Sequence, residues 1–99
     1  MNHIRLCNGN LYFSCELYDS YFTSIQAVVL LARDDDVLIV PVQQESGGLL
    51  LKIRNARGDR VVHAAEFCQQ HDLYSAQSRE LEVRWQPDMG ALVFRKPAV

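Results

Sequence analysis

Residues 27–42 read AVVLLARDDDVLIVPV, and residues 49–63 read LLLKIRNARGDRVVH. Two runs stand out, VVLLA (28–32) and VLIVPV (37–42), both of strand length and rich in branched apolar residues. Short runs of that kind, bounded by polar turns, predict β-strands. Neither run alternates, so both faces of each strand are apolar. Such a strand is covered on both sides, by helices, by another sheet or by a second subunit. Arg33 and the three aspartates Asp34, Asp35 and Asp36 form an acidic turn between them. Pro41 has no N–H for a ladder, so its strand must meet an edge or a bulge there. Beyond the connection QQESGG (43–48), LLLKIRN (49–55) alternates in part, with Leu49, Leu51 and Ile53 on one face. Asn55-Ala56-Arg57-Gly58 suits a tight turn, and DRVVH (59–63) returns as the paired strand. In order, 27–63 predicts a β-meander.

On the N-terminal side, residues 3–15 predict a hairpin closed by Asn8-Gly9, a pair that supplies the positive φ angles of a type I′ turn. A two-residue loop pairs Cys7 with Asn10, Leu6 with Leu11 and Arg5 with Tyr12, which puts Ile4, Leu6, Leu11 and Phe13 on one face. In ELYDSYFTSI (16–25) the period changes: Leu17, Tyr18, Tyr21, Phe22 and Ile25 form one stripe of a short helix. On the C-terminal side, AAEFCQQHDL (64–73) reads as a second short helix. ELEVRW (80–85) alternates, a proline–glycine turn follows, and ALVFR (91–95) completes another hairpin. The fold expected is a small α+β domain spanning residues 1–99. It has a mostly antiparallel sheet of about seven short strands, curled into a partial barrel or split into two sheets, and two short helices.

Composition narrows the function. The net charge of −2 argues against a general nucleic-acid binder, because counterion release needs a basic surface. No apolar run reaches the roughly 18 residues of a membrane-spanning helix, and the N-terminus lacks a signal-peptide core. Three cysteines, an odd number without paired spacing, read as free thiols in a reducing, cytoplasmic setting. In the hairpin register Cys15 lies about 16 Å from Cys7, beyond the roughly 7 Å a disulfide allows.

No phosphate loop, dinucleotide fingerprint or nucleophile elbow is present. His63, Cys68 and His71 group around the second helix, with Cys7 or Cys15 as a conceivable fourth zinc ligand. No C-x-x-C or H-E-x-x-H anchors them, and no metal or cofactor is assigned. Cys68 beside His63 or His71 lacks the orienting residue and oxyanion loop of a nucleophile, so no catalytic residue is assigned and the chain reads as non-enzymatic. Tyr12, Tyr18, His63, Cys68, His71 and Trp85 are the candidates to line a ligand pocket between sheet and helix. Lys52, Arg54, Arg57 and Arg60 form a basic hairpin, the only route left open to a nucleic acid. Interleaved aromatics would mark single-strand binding, and none lies in 52–60. The excess of apolar strand surface predicts a homodimer or another protein partner. The leading expectation is therefore a non-catalytic binding or accessory module acting through a protein interface, ahead of a small-molecule binder or a nucleic-acid-associated regulator.

Overall fold

A computed structural model describes residues 2–43 and 47–97. Its elements in chain order are β1 (Asn2–Cys7), β2 (Asn10–Phe13), α1 (Cys15–Tyr21), β3 (Ala27–Arg33), β4 (Asp36–Val42), β5 (Leu49–Leu50), β6 (Lys52–Ile53), β7 (Arg60–His63), α2 (Ala65–Gln70), β8 (Arg79–Gln86) and β9 (Ala91–Arg95). All nine strands join one sheet in the order β5-β3-β4-β9-β8-β1-β2-β7-β6, and every neighbouring pair is antiparallel. The two outermost strands, β5 and β6, are separated in the chain by Leu51 alone. The sheet therefore curls round almost into a closed barrel, and residues 49–53 are its seam.

The seam corrects two expectations. There are nine strands rather than about seven, and one of the added strands arises because 49–55 is not one strand. Its first half pairs with β3 (Ala27 with Leu50, Val28 with Leu49) and its second half with β7 (Lys52 with Val61, Ile53 with Arg60). A strand that must serve partners on both sides within five residues has to break its ladder between them. Leu51 is that break: its N–H donates to the Gln26 carbonyl at 2.9 Å and its side chain is buried. The region 27–63 is also not a meander, because β4 has β3 and β9 as neighbours while 49–53 lies on the far side of β3. The part of 43–48 from Gln44 to Ser46 lies outside the described residues.

The first hairpin forms for local reasons. Asn8 and Gly9 have φ of 53° and 76°, and the register pairs Arg5 with Tyr12, Leu6 with Leu11 and Cys7 with Asn10. Gly9 is required twice over, since a Cβ there would lie 2.6 Å from the Ala65 Cα at the start of α2. The helices are shorter than the 16–25 and 64–73 stretches. Ser14 caps α1, its Oγ accepting from the Leu17 N–H at 3.1 Å. Asp72, at φ 59°, turns the chain just after α2.

The helices stop the ends of the barrel. Strands β2 and β7 run antiparallel, with Asn10 opposite His63 and Phe13 opposite Arg60. Helix α1 follows the Phe13 end and α2 the His63 end, so the two sit at opposite mouths. From the first mouth Leu17 and Phe22 enter the core, and from the second Cys68 and Leu73 do. Between them the interior is filled by Ile4, Leu6, Leu11, Phe13, Val37, Ile39, Val62, Leu92 and Phe94. With both helices at the mouths, neither covers the outer wall of β3 and β4.

Candidate functional site

The loop from Arg54 to Arg60 is built around one carboxylate. Asp59 is 7% exposed, the buried charged residue among the described residues. Its Oδ1 accepts from the Cys15 N–H at 2.9 Å, and its Oδ2 from Asn55 Nδ2 at 3.0 Å and from an Arg57 terminal nitrogen at 2.9 Å. The Asn55 side-chain oxygen in turn accepts from the N–H groups of Gly58 and Asp59. The loop is thereby tied to the first residue of α1. Hydrogen bonds from Asn55, Arg57 and Cys15 hold the Asp59 carboxyl well below its ordinary 3.8, at about 2. The Arg57-Gly58-Asp59 turn is thus an internal anchor.

A carboxylate stabilised in the folded state loses that contribution as it is protonated, here as the pH falls from about 4 toward about 2. Asp59→Asn keeps the size and removes the charge. It should melt roughly 5–10 °C below the wild type at neutral pH, as expected for a buried hydrogen-bonded charge. The difference should shrink between pH 4 and pH 2, and melting curves that stay parallel over that interval would show that Asp59 is not the anchor.

Asp59 also completes the one group of potential metal-binding side chains found among the described residues. Ligand atoms of Cys15, Glu16 and Asp59 lie within 4.8 Å of one another. The Asp59 oxygens are already occupied by donors. Burial and the neighbouring carboxylates of Glu16 and Asp59 push the Cys15 thiol up, away from the thiolate a soft metal or a nucleophile needs. His63, Cys68 and His71 do not form such a group. His63 is exposed, with Nδ1 2.9 Å from Asn10 Oδ1. The Cys68 side chain is in the core, where burial pushes its thiol up. The His71 ring packs on Phe67, centroids 4.4 Å apart.

The other pocket candidates are placed elsewhere. Trp85 stacks against Tyr21 of α1 at 5.0 Å, and the Tyr18 hydroxyl donates to the Ile25 carbonyl at 3.0 Å. Tyr12 lines a shallow depression of about 220 Å³ with His3, Arg5, Arg54 and Glu80. Tyr18 lines another of about 450 Å³ beside Leu51, Ile53 and Arg60. His63 lines a third of about 330 Å³ beside Leu49 and Phe67. The six candidates therefore spread over both mouths and the wall between them.

Two surfaces stand apart from the core. The first is the wall of β1, β2, β7 and β6. There the Arg5 and Arg54 guanidiniums lie 4.2 and 4.7 Å from the centre of the Tyr12 ring, and at the adjoining mouth that of Arg60 lies 3.8 Å from the centre of the Tyr18 ring. The predicted basic hairpin is thus divided: Arg57 is held by Asp59, whereas Arg54 and Arg60 rest on tyrosines. Arg5 belongs with them and was not among the predicted residues. The hairpin register already sets Arg5 beside Tyr12; Arg54 joins them through pairings between distant strands.

The second surface is β3 with the wall outside β4 and β9. Leu38, Ala91 and Val93 form a small apolar cluster there with Val40, separate from the core. Arg33 and Met89, from opposite ends of the strands, meet across it at 4.0 Å. Leu31, Ala32 and Arg33 are exposed. Among the described residues β3 has no strand partner beyond Val28 on the side away from β4. Pro41 fits its place, since the β4–β9 ladder ends at Ile39, before it. Comparison of the chain with family models, with curated proteins and with solved structures gives no match.

Proposed function

We propose that the protein is a non-catalytic binding module that acts as a homodimer, with β3 as the interface. The observation that carries this reading is the free edge from Val29 to Arg33, which among the described residues has no strand beside it. Leu31, 49% exposed, lies in its middle. An unpaired apolar edge is a template for another strand, and proteins that keep such edges unpaired blunt them with charge, proline or bulges. Between Val29 and Ala32 this edge carries none of these. A second copy supplies the matching strand by symmetry. A two-fold axis beside Leu31 sets the two β3 edges antiparallel, pairs the backbone groups that have no strand partner among the described residues and brings the two Leu31 side chains together. Val40 and the exposed Met89 flank the contact. Both signs of charge, on Arg33 and on Asp34 to Asp36, lie at one end of each strand, so neither copy presents a single-sign repulsive rim.

Five residues of pairing plus their flanking side chains fall short of the roughly 1,600 Å² of a standard interface, so micromolar dissociation is expected. Light scattering of the wild type at tens of micromolar should give the mass of two chains. Leu31→Lys, an exposed change at an edge, should give the mass of one chain with little loss of melting temperature. A wild-type monomer under these conditions would remove the second copy as the partner.

A further inference from the structure

We infer that the wall made by β1, β2, β7 and β6 binds single-stranded nucleic acid. Strands β1 and β2, which carry Arg5 and Tyr12, lie across the barrel from β3, so the inference does not depend on the dimer. A row of facing residues, Arg5, Tyr12, Val61 and Lys52, crosses all four strands. At about 4.8 Å per strand the row is about 14 Å long. Arg54 folds back onto Tyr12 from the loop beyond β6, and Arg60 covers Tyr18 at the adjoining mouth. Among the described residues none of Arg5, Lys52, Arg54 and Arg60 has a carboxylate within 4.0 Å. Arg5, Lys52 and Arg54 are free for a ligand, whereas Arg57 is held by Asp59 and Arg60 donates to the Gly58 carbonyl.

The chemistry on this wall fits a single strand. A guanidinium held against a phenol ring has lost side-chain freedom before any ligand arrives. Its N–H edge still faces phosphate oxygens, and its plane offers a stacking surface for a base. Ring and cation together are how small barrels hold single strands without reading sequence. The surroundings disfavour a duplex. Glu80 and Glu82 on β8 stand opposite Arg5 and His3, so the positive row is bounded on that side. A second phosphate backbone would lie against those carboxylates. The net charge of −2 also supplies no long-range attraction, so contact is confined to the row.

The test uses a fluorescent oligothymidylate of about a dozen nucleotides, within the site sizes small barrels accommodate. Fluorescence anisotropy with the full chain should show saturable binding. Contacts to about three phosphates predict a log–log salt slope near −2, and so about 15-fold weaker binding between roughly 50 and 200 mM salt. Arg5→Gln with Arg54→Gln should weaken binding at least about tenfold, since it deletes two of the three phosphate contacts and both planes. Arg5→Lys with Arg54→Lys keeps the charge but loses the planes, and should fall between the double glutamine variant and the wild type. Arg57→Gln should bind like the wild type. The paired variants change surface side chains, and unchanged circular dichroism establishes that they are folded. Absence of saturable binding at about 100 μM protein overturns the inference, as does full affinity in the double glutamine variant. Wild-type affinity in the double lysine variant overturns the stacking role, and equal competition by a duplex of the same length overturns the single-strand assignment.

Discussion

Phe22→Ala is expected to cost about 3–5 kcal/mol of folding stability and to lower the melting temperature by roughly 15–25 °C. Phe22 is fully buried and meets Phe13 edge to face, centroids 5.8 Å apart and planes at 83°. It occupies the turn that ends α1: its N–H donates to the Tyr18 carbonyl at 2.7 Å and its carbonyl accepts from the Ile25 N–H at 2.8 Å. The ring is thus fixed in the mouth of the barrel, where backbone on both sides limits collapse into the space an alanine would leave. Total stability of a domain this size is about 5–15 kcal/mol, so the variant should be near the limit of folding. Phe22→Leu fills most of the space and should cost about 1–2 kcal/mol. Urea unfolding of the two variants measures the difference. An alanine cost below about 1 kcal/mol would mean that α1 lies on the surface and does not plug the mouth.

Leu51→Pro should be comparably severe, at about 3–5 kcal/mol, for a different reason. Leu51 sits where the closing strand changes partners, its side chain in the core and its N–H on the Gln26 carbonyl. Proline removes that donor as well as much of the leucine side chain. Leu51→Ala keeps the donor and should cost about 2–3 kcal/mol, so the proline variant should be the weaker by 1 kcal/mol or more in urea unfolding. Equal costs would show that the backbone bond at the seam does not contribute to closing the barrel.

These two positions mark what could and could not be read along the chain. The hairpin at Asn8-Gly9 was legible to the register, because turn chemistry and alternation are local and agree. The stripe of Leu17, Tyr18, Tyr21, Phe22 and Ile25 likewise identified α1, since a change of period within ten residues needs no distant partner. The seam was not legible. Leu49 to Ile53 alternate like an ordinary strand, and nothing local says that two partners divide it at Leu51. The meander expected for 27–63 rested on sequential strands being neighbours, a tendency that β4 departs from by pairing with β9. The surplus of apolar faces on 28–32 and 37–42 was read from the residues themselves. That the helices would sit at the mouths and leave the outer wall without a helix depended on the antiparallel pairing of β2 with β7. At the sites the same division holds. The basic residues of 52–60 were visible as a group, but that Asp59 would take Arg57 out of it, and that Tyr12 and Arg5 would join it, follows from the folded loop and from strand order.

The reading of β3 as the interface is tested most directly by amide hydrogen exchange at low and high protein concentration. The prediction is that concentration slows exchange in residues 29–33, while amides of β1, β2 and β7 keep the same rates. In Leu31→Lys, residues 29–33 should exchange at the dilute rate at every concentration. Exchange in residues 29–33 of the wild type that is independent of concentration up to hundreds of micromolar, or protection that arises on another wall, would contradict it.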